Sequence, residues 1–379
     1  MTKKSEALIA IDLVRFGCAA LVMTYHLMST HWQGASIGAA SLLAGIKPLP
    51  SWVVAGMRFN WIGVQLFFVI SGMVIARSAL AAPGGEFMRR RILRLVPAAF
   101  ICATISAAAL IISGADMPNL FARWLASVTL LPFGGWIDPS YWTLGIELIF
   151  YLAVACFFSL NRNGGTDRFA AIFVFACAAF WMLVLAQDPH APAFDEHGLF
   201  YTLLPHGAFF ALGMLLTSAA RSGWTARKLA LFGGALCLAA VQIARHARWL
   251  ELRDHVPMAP AVPLTIFLVG MAVLASTRTL QPRLERIIAP STARTIGVAT
   301  YPLYLIHYQV GAALTAAFVA LGIATGVAVA LTIASVLGLT ACIATCLEPP
   351  VRSILRGAFQ RFGDLPVRFR TATVSSRGR

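Results

Sequence analysis

A few residues able to handle protons or bind anions stand where apolar helices would carry them into a bilayer. The first long apolar stretch, residues 7–29, reads ALIAIDLVRFGCAALVMTYHLMS and contains Asp12, Arg15 and His26. Ionisable groups at that depth are costly, so they face a protein interior or a wet cavity and mark a functional path. Arg15 and His26 are eleven residues apart, so they share one helix face about 16 Å apart along the axis. Asp12, three residues before Arg15, is placed to pair with it. Glu147 and His206 each fall about 10 Å inside their own apolar stretches, and His26 about 5 Å inside its own. His307 falls near the middle of a later stretch. An imidazole can take a proton from a hydroxyl. A guanidinium can hold an anion or polarise a carbonyl.

A second constellation is the run GGEFMRRRILRLVP, residues 84–97, with Arg89, Arg90, Arg91 and Arg94. Guanidinium forks match phosphate oxygens. Arg90, Arg91 and Arg94 are therefore candidates for a phosphate clamp as well as for a charged anchor at a membrane face. The chain has no Walker A loop and no GxGxxG, so these arginines would have to hold any nucleotide-bearing donor, such as a coenzyme A thioester. HExxH, Cys/His ligand spacings and GxSxG are also missing. Neither a metal nor a serine triad of that type is expected.

The elements that must carry these residues are membrane helices. Of the 379 residues, 59% are hydrophobic and only 12% charged, and the mean hydropathy is +0.77. An ordinary soluble domain has about a quarter of its residues charged. The expected fold is therefore all-α, a polytopic helix bundle of about ten spans. The spans fall near residues 7–29, 58–80, 94–113, 140–160, 169–186, 199–219, 229–244, 258–276, 295–319 and 323–346. The transmembrane unit covers residues 1–350, and residues 351–379 form a basic, partly disordered tail. His246, Glu251, Asp254 and His255 fall in a loop, His31 falls past the end of the first span, and FARWLASVTLL (residues 121–131) reads as an interfacial helix. The seven cysteines all lie in apolar segments and read as small buried hydrophobes. With the N-terminus inside, 23 Lys and Arg fall on inner segments and six on outer ones. This is a positive-inside pattern, and it accounts for the net charge of +15 without nucleic acid as a partner.

Six stretches, taken in order, resemble the membrane-bound acyltransferase family three, the bacterial O-acyltransferases. They are IDLVRFGCAALVMTYH (11–26), with Arg15 and His26 in an R-x10-H pattern, GVQLFFVISGMVIA (63–76), FMRRRILRLVP (87–97), YWTLGIELIFYL (141–152), GVATYPLYLIH (297–307) and LEPPVR (347–352). Two departures stand out: Gln65 replaces an acid common in the family, and Leu148 stands where a second glutamate is common. The resemblance implies transfer of an acyl group, most commonly acetyl, from cytoplasmic acyl-CoA to a carbohydrate hydroxyl on the outer side. Such a protein is an acyltransferase of the class that moves groups other than aminoacyl groups. It lies in the bacterial inner membrane with both termini cytoplasmic, and acyl-CoA is a co-substrate rather than a bound cofactor. The expected partners are the lipid bilayer, acyl-CoA and an exported glycan, and a homo-oligomer is left open.

On that reading His26 is a general base or a transient acyl carrier. Glu147 orients His26 or binds the acceptor. Arg15, paired with Asp12, holds the donor or polarises its carbonyl. Tyr141 and Trp142 stack on a sugar ring or belong to an interfacial aromatic belt, and Tyr301 and His307 play a supporting or acceptor-binding part. Two other readings use the same charges: a proton-coupled transporter with a buried Asp/Arg/His/Glu relay, and a non-catalytic scaffold for envelope assembly. A reporter fused after Arg379 is expected to read as cytoplasmic in live cells; a signal from the opposite side would overturn the ten-span arrangement.

Overall fold

The computed structural model describes residues 9–34, 37–78, 84–161, 165–187 and 201–363. Lys3, Lys4, Arg162 and residues 364–379 of the expected tail lie outside them. The described residues form α1 (Ile9–Met28), α2 (Ser51–Met57), α3 (Gly63–Ser78), α4 (Gly84–Ser113), α5 (Leu120–Val128), α6 (Trp142–Leu160), α7 (Thr166–Gln187) and α8 (Gly207–Ser222). They continue with α9 (Ala226–Asp254), α10 (Ala261–Ala275), α11 (Thr277–Ile287), α12 (Pro290–Ile306), α13 (Gln309–Ala320), α14 (Thr325–Cys342) and α15 (Glu348–Gly363). Among the described residues there is no strand. The architecture is all-α and polytopic.

Among the described residues seven helices are long and apolar enough to cross a membrane, or nine if each of two bent pairs counts as one span. The pairs are α10 with α11, bent by 75°, and α12 with α13, bent by 71°. The expected sixth span is α8, whose 16 residues reach only about 24 Å. From Gly207 to Ala219 it is buried on every side, as befits a helix that is hydrophobic all round. The expected seventh span was drawn too short. α9 has 29 residues, and the stretch read as a loop, including His246, Glu251 and Asp254, is its last three turns. Charged residues continue that helix because they pair along it. Arg248 bonds Glu251 at 2.8 Å, and Arg253 stacks on Trp249.

α1 and α12 run side by side in the same direction. Asp12 faces Gly297 near one end, and His26 meets His307 at the other. The expected ninth span is broken at that second contact, so His307 sits at a bend rather than mid-helix. The tail begins in order: α14 passes through a π-helical segment, Ile343–Leu347, straight into α15. Such segments often mark functional sites. A helix, α5, overlaps the stretch read as interfacial, starting one residue earlier and ending at Val128. Cys18, Cys102 and Cys177 are buried, but Cys156, Cys237, Cys342 and Cys346 lie on the outside of the bundle. Phe175, Met182, Leu183 and Val269 are exposed there too, which suits a lipid-facing surface.

The middle of the bundle depends on a close approach of α3 to α8. A Cβ at Gly72 would collide with the Phe210 carbonyl, and one at Gly213 with the Val69 carbonyl. Small residues let helix backbones approach closely in lipid, and backbone atoms cannot yield as a side chain tip can. Gly213→Val is therefore expected to abolish the monodisperse peak in size-exclusion chromatography, and Gly72→Ala to lower the melting temperature. Wild-type melting of both variants would show that the contact is dispensable.

Candidate active site

The polar residues gather at two poles joined by a narrow waist. At the pole near the start of α1, a basin of about 400 Å³ is lined by Arg15, Arg90, Arg94, Arg294, Arg352 and Arg356, with Asp12, Tyr301 and Glu348. Six guanidinium groups face two carboxylates, so the basin suits a polyanion. Two of these arginines are engaged locally: Arg90 bonds Glu86 at 2.9 Å, and Arg352 bonds Glu348. Arg15 makes no hydrogen bond or ion pair within 4.0 Å among the described residues, Asp12 included. The expected Asp12–Arg15 pair does not form because Asp12 is turned to α12, where a Cβ on Gly297 would lie 2.6 Å from its Cγ.

Arg91 does not face the basin. It is buried, bonds the Ser78 hydroxyl at 2.8 Å and lies over the rings of Phe87 and Tyr151. Arg90 and Arg94, one helical turn apart, share the face that does. Arg352 and Arg356 have the same spacing on α15. That spacing was visible in the sequence, but the expectation of a partly disordered tail hid it.

The waist holds two small cavities of about 40 and 20 Å³. Arg15, Ser71, Glu147 and Tyr301 line both. Glu147 accepts hydrogen bonds from Ser71 Oγ at 2.6 Å and from the Tyr151 hydroxyl. It therefore belongs with Arg15 and does not bond His26. The buried Tyr301 hydroxyl has no partner among the described residues and lies where the basin and both waist cavities meet. Tyr304 and Val64 line both the larger waist cavity and the next one.

The other pole is a cavity of about 210 Å³ lined by His26, Tyr25, Trp61, Trp142, Tyr201 and Trp249, with Gln65, His246 and Arg253 at its wall. His26 Nδ1 lies 2.7 Å from His307 Nε2. His307 is fully buried, and its Nδ1 is 3.0 Å from the Leu303 carbonyl oxygen. Of the two aromatic residues expected at a mouth, only Trp142 lines this cavity. Tyr141 is buried and bonds the Ala99 carbonyl at 3.2 Å, because neighbouring residues of a helical turn point about 100° apart. His206 sits behind the wall, packed on Phe68 and Trp142. His31, expected past the span, is buried and edge-on to Tyr308, with ring centroids 4.4 Å apart. Trp61, Tyr201, Trp249 and Arg253 carry no motif in the sequence that marks them as cavity residues. Trp249 and Arg253 share a face of α9 at a spacing that only a longer helix would have made visible. Gln65, the departure from the family acid, has a buried side-chain oxygen without a partner among the described residues. Among the described residues no group of three or more His, Cys, Asp or Glu could hold a metal ion.

An arginine basin, a guanidinium at the waist without an ion-pair partner among the described residues and a paired histidine in an aromatic cavity together suit a group-transfer site. Comparison with known proteins names the class. The family described as "Acyltransferase domain", acyltransferase-3, matches residues 8–347, and the chain belongs to it. The chain carries an acyltransferase domain over nearly its whole length, which weighs against the transporter and scaffold readings. It is similar to Nodulation protein 10 of Rhizobium leguminosarum bv. viciae, with 29% identity over 229 residues. That match covers 54% of this chain and 58% of the nodulation protein, so less than two thirds of that relative's length is spanned. No solved structure gives a significant match.

The bend that carries His307 is held by a buried polar knot. The Gln309 side chain accepts from the Ala39 amide at 2.9 Å and donates to the Ile137 carbonyl at 3.0 Å. Its backbone amide donates to Asp138 Oδ2, and the Ser140 amide donates to Asp138 Oδ1 at 2.9 Å. Asp138 lies just before the span that begins at Pro139. Burial pushes its carboxyl up from 3.8 to about 7, against the pull of those hydrogen bonds. The folded protein then binds more protons than the unfolded chain between these two values, so stability falls as pH rises through that window. The melting temperature in detergent is expected to drop between pH 4.5 and 6.5, and Asp138→Asn is expected to flatten that slope. An unchanged slope in the variant would assign the dependence to another group.

Proposed function

We propose that this acyltransferase takes an acyl group, most simply acetyl, from acyl-CoA at the arginine basin and passes it to a carbohydrate hydroxyl in the aromatic cavity. The observation that carries this reading is the line of cavities that share walls from one pole to the other. Arg15 and Tyr301 belong to the basin and to the waist, and Tyr304 to the waist and to the cavity of His26. The nucleotide and diphosphate of a coenzyme A donor meet Arg94, Arg294, Arg352 and Arg356. Its pantetheine arm runs past Arg15 and the free Tyr301 hydroxyl into the waist and carries the thioester towards the hydroxyl at His26. Because a cavity of about 40 Å³ has room for only a few waters, Phe67 and Tyr304 must move aside as the acyl group advances.

On the far side, Trp61, Trp142, Tyr201 and Trp249 offer flat apolar faces and ring N–H or O–H groups that suit a sugar ring with its hydroxyls. His26 takes the proton of the attacking hydroxyl. Glu147, bonded to Ser71 and Tyr151, keeps a negative charge near Arg15 rather than near the base. The charge asymmetry of the sequence supports an orientation with the basin and both termini in the cytoplasm and the aromatic cavity on the outer side of a bacterial inner membrane. That arrangement matches an intracellular donor and an exported acceptor.

The test uses purified protein in detergent with radiolabelled acetyl-CoA and surface glycan from a deletion strain. His26→Ala is expected to lower turnover by about 100-fold or more, the usual worth of a general base. Arg94→Ala and Arg352→Ala are each expected to raise KM for acetyl-CoA by about tenfold, since a hydrogen bond to a charged group contributes about 1.5 kcal/mol. No transfer of label to glycan by the wild-type protein, or an unchanged KM in both arginine variants, would sink this assignment.

A further inference from the structure

The contact between His26 and His307 carries more than proximity. Their ring planes are 16° apart and their centroids 5.0 Å apart, while His26 Nδ1 and His307 Nε2 are 2.7 Å apart. That centroid separation leaves little more than the two ring radii on either side of the N···N contact. The rings therefore lie edge to edge and nearly coplanar. The lone pair and the N–H bond of an imidazole both lie in the ring plane, so this is the geometry of an N–H···N hydrogen bond.

The donor in that bond follows from the other end of His307. Its Nδ1 faces the Leu303 carbonyl at 3.0 Å. A carbonyl oxygen only accepts, so His307 Nδ1 carries a proton. A neutral His307 then has its lone pair on Nε2 and can only accept from His26. His26 must carry its proton on Nδ1, leaving its lone pair on Nε2. His26 Nε2 has no hydrogen-bond partner among the described residues, and His26 lines the aromatic cavity.

We propose that His307 is a positioning residue: it holds His26 in the tautomer whose free Nε2 lone pair serves as the base, and it receives the Nδ1 proton during transfer. The proposal rests on the acyl-transfer reading given above. The acceptor O–H bond breaks and its proton goes to His26 Nε2. The oxygen forms the ester bond to the acyl carbon, and the carbon–sulfur bond breaks with its electron pair leaving on the thiolate. The Nδ1 proton of His26 moves to His307 Nε2, so the positive charge rests on His307. Its return lets the Nε2 proton go on to the thiolate, which leaves an ester and a thiol.

A carboxylate usually supports a protonated histidine in such an arrangement. Among the described residues neither ring meets one. Two helix ends take its place. His26 lies in the last turn of α1, and His307 caps the end of α12. The negative ends of both helix dipoles therefore point at the pair, and they favour a cation there. The other titratable groups facing the two rings are Tyr25, His31, Tyr304 and Tyr308, with Arg253 across the cavity. Asp138 bonds the Gln309 amide beyond the bend instead.

Two measurements test this. In protein labelled with ¹⁵N-histidine and placed in lipid nanodiscs, the His26 and His307 signals, assigned with His26→Asn and His307→Gln, should both show the Nδ1–H tautomer at neutral pH. An Nε2–H tautomer at His26 overturns the proposal. In turnover assays His307→Leu should lower kcat by about 100-fold with KM for the acyl donor unchanged, and His307→Gln, whose amide oxygen can still accept from Nδ1–H, should recover at least about tenfold of that loss. Equal losses in folded Leu and Gln variants, or a loss carried by KM, would reduce His307 to a packing residue. The tautomer readout needs no turnover. If acyl-CoA is not the donor, kinetics with that donor fail while the nitrogen spectra still decide the pair.

Discussion

The parallel packing of α1 against α12 is the constraint on which the rest of the structure depends. Each helix places one polar group at each end of their common line: Asp12 beside Gly297, and His26 bonded to His307. Gly297 makes room at the first contact, because a Cβ there would press on the Asp12 side chain and shift its carboxylate. The bend after α12 is required at the second, because it turns the chain away and lets His307 cap its own helix. Groups that would be costly in lipid are thus held in one protein seam. That seam also runs from the arginine basin to the aromatic cavity.

The waist explains why these poles can differ so sharply in chemistry. Between them only small cavities interrupt the packing of Phe67, Phe68, Leu144 and Tyr304. These cavities, about 40 and 20 Å³, have room for only a few waters, so little solvent joins the poles. Glu147, secured by Ser71 and Tyr151, balances Arg15 within this region without neutralising it through direct contact. The guanidinium stays available for a ligand. Ionisable groups at such depth face a protein interior or a wet cavity, as half-buried Arg15 faces the basin.

Much of this was legible before the fold was known. The spacing of Arg15 and His26 requires one helix face, whatever surrounds it. The scarcity of charge and the runs of apolar residues require membrane helices, since lipid offers backbone groups no partner outside a helix or a closed barrel. The errors share one cause: they judged residues by local polarity. The last turns of α9 read as a loop because they are charged, yet Arg248–Glu251 and Trp249–Arg253 contacts continue the helix. α15 read as disordered tail because it is basic, yet its arginines finish the basin. Tyr141 and Trp142 read as one aromatic pair, although a single helical step sends one into the core and the other to the cavity.

By itself, then, the sequence determined the class of fold, the family and the face that carries Arg15 and His26. All of these follow from periodicity, hydropathy and motifs within single segments. Only the tertiary structure decided the partners. It paired His26 with a residue 281 positions away, gave Glu147 to Ser71 and Tyr151, turned Asp12 away from Arg15, and brought Arg294, Arg352 and Arg356 to Arg94. The physical reason is that hydrogen bonds and charge pairs act over a few ångströms in space. Sequence spacing specifies such distances within a helix, while between helices they are set by which faces pack together.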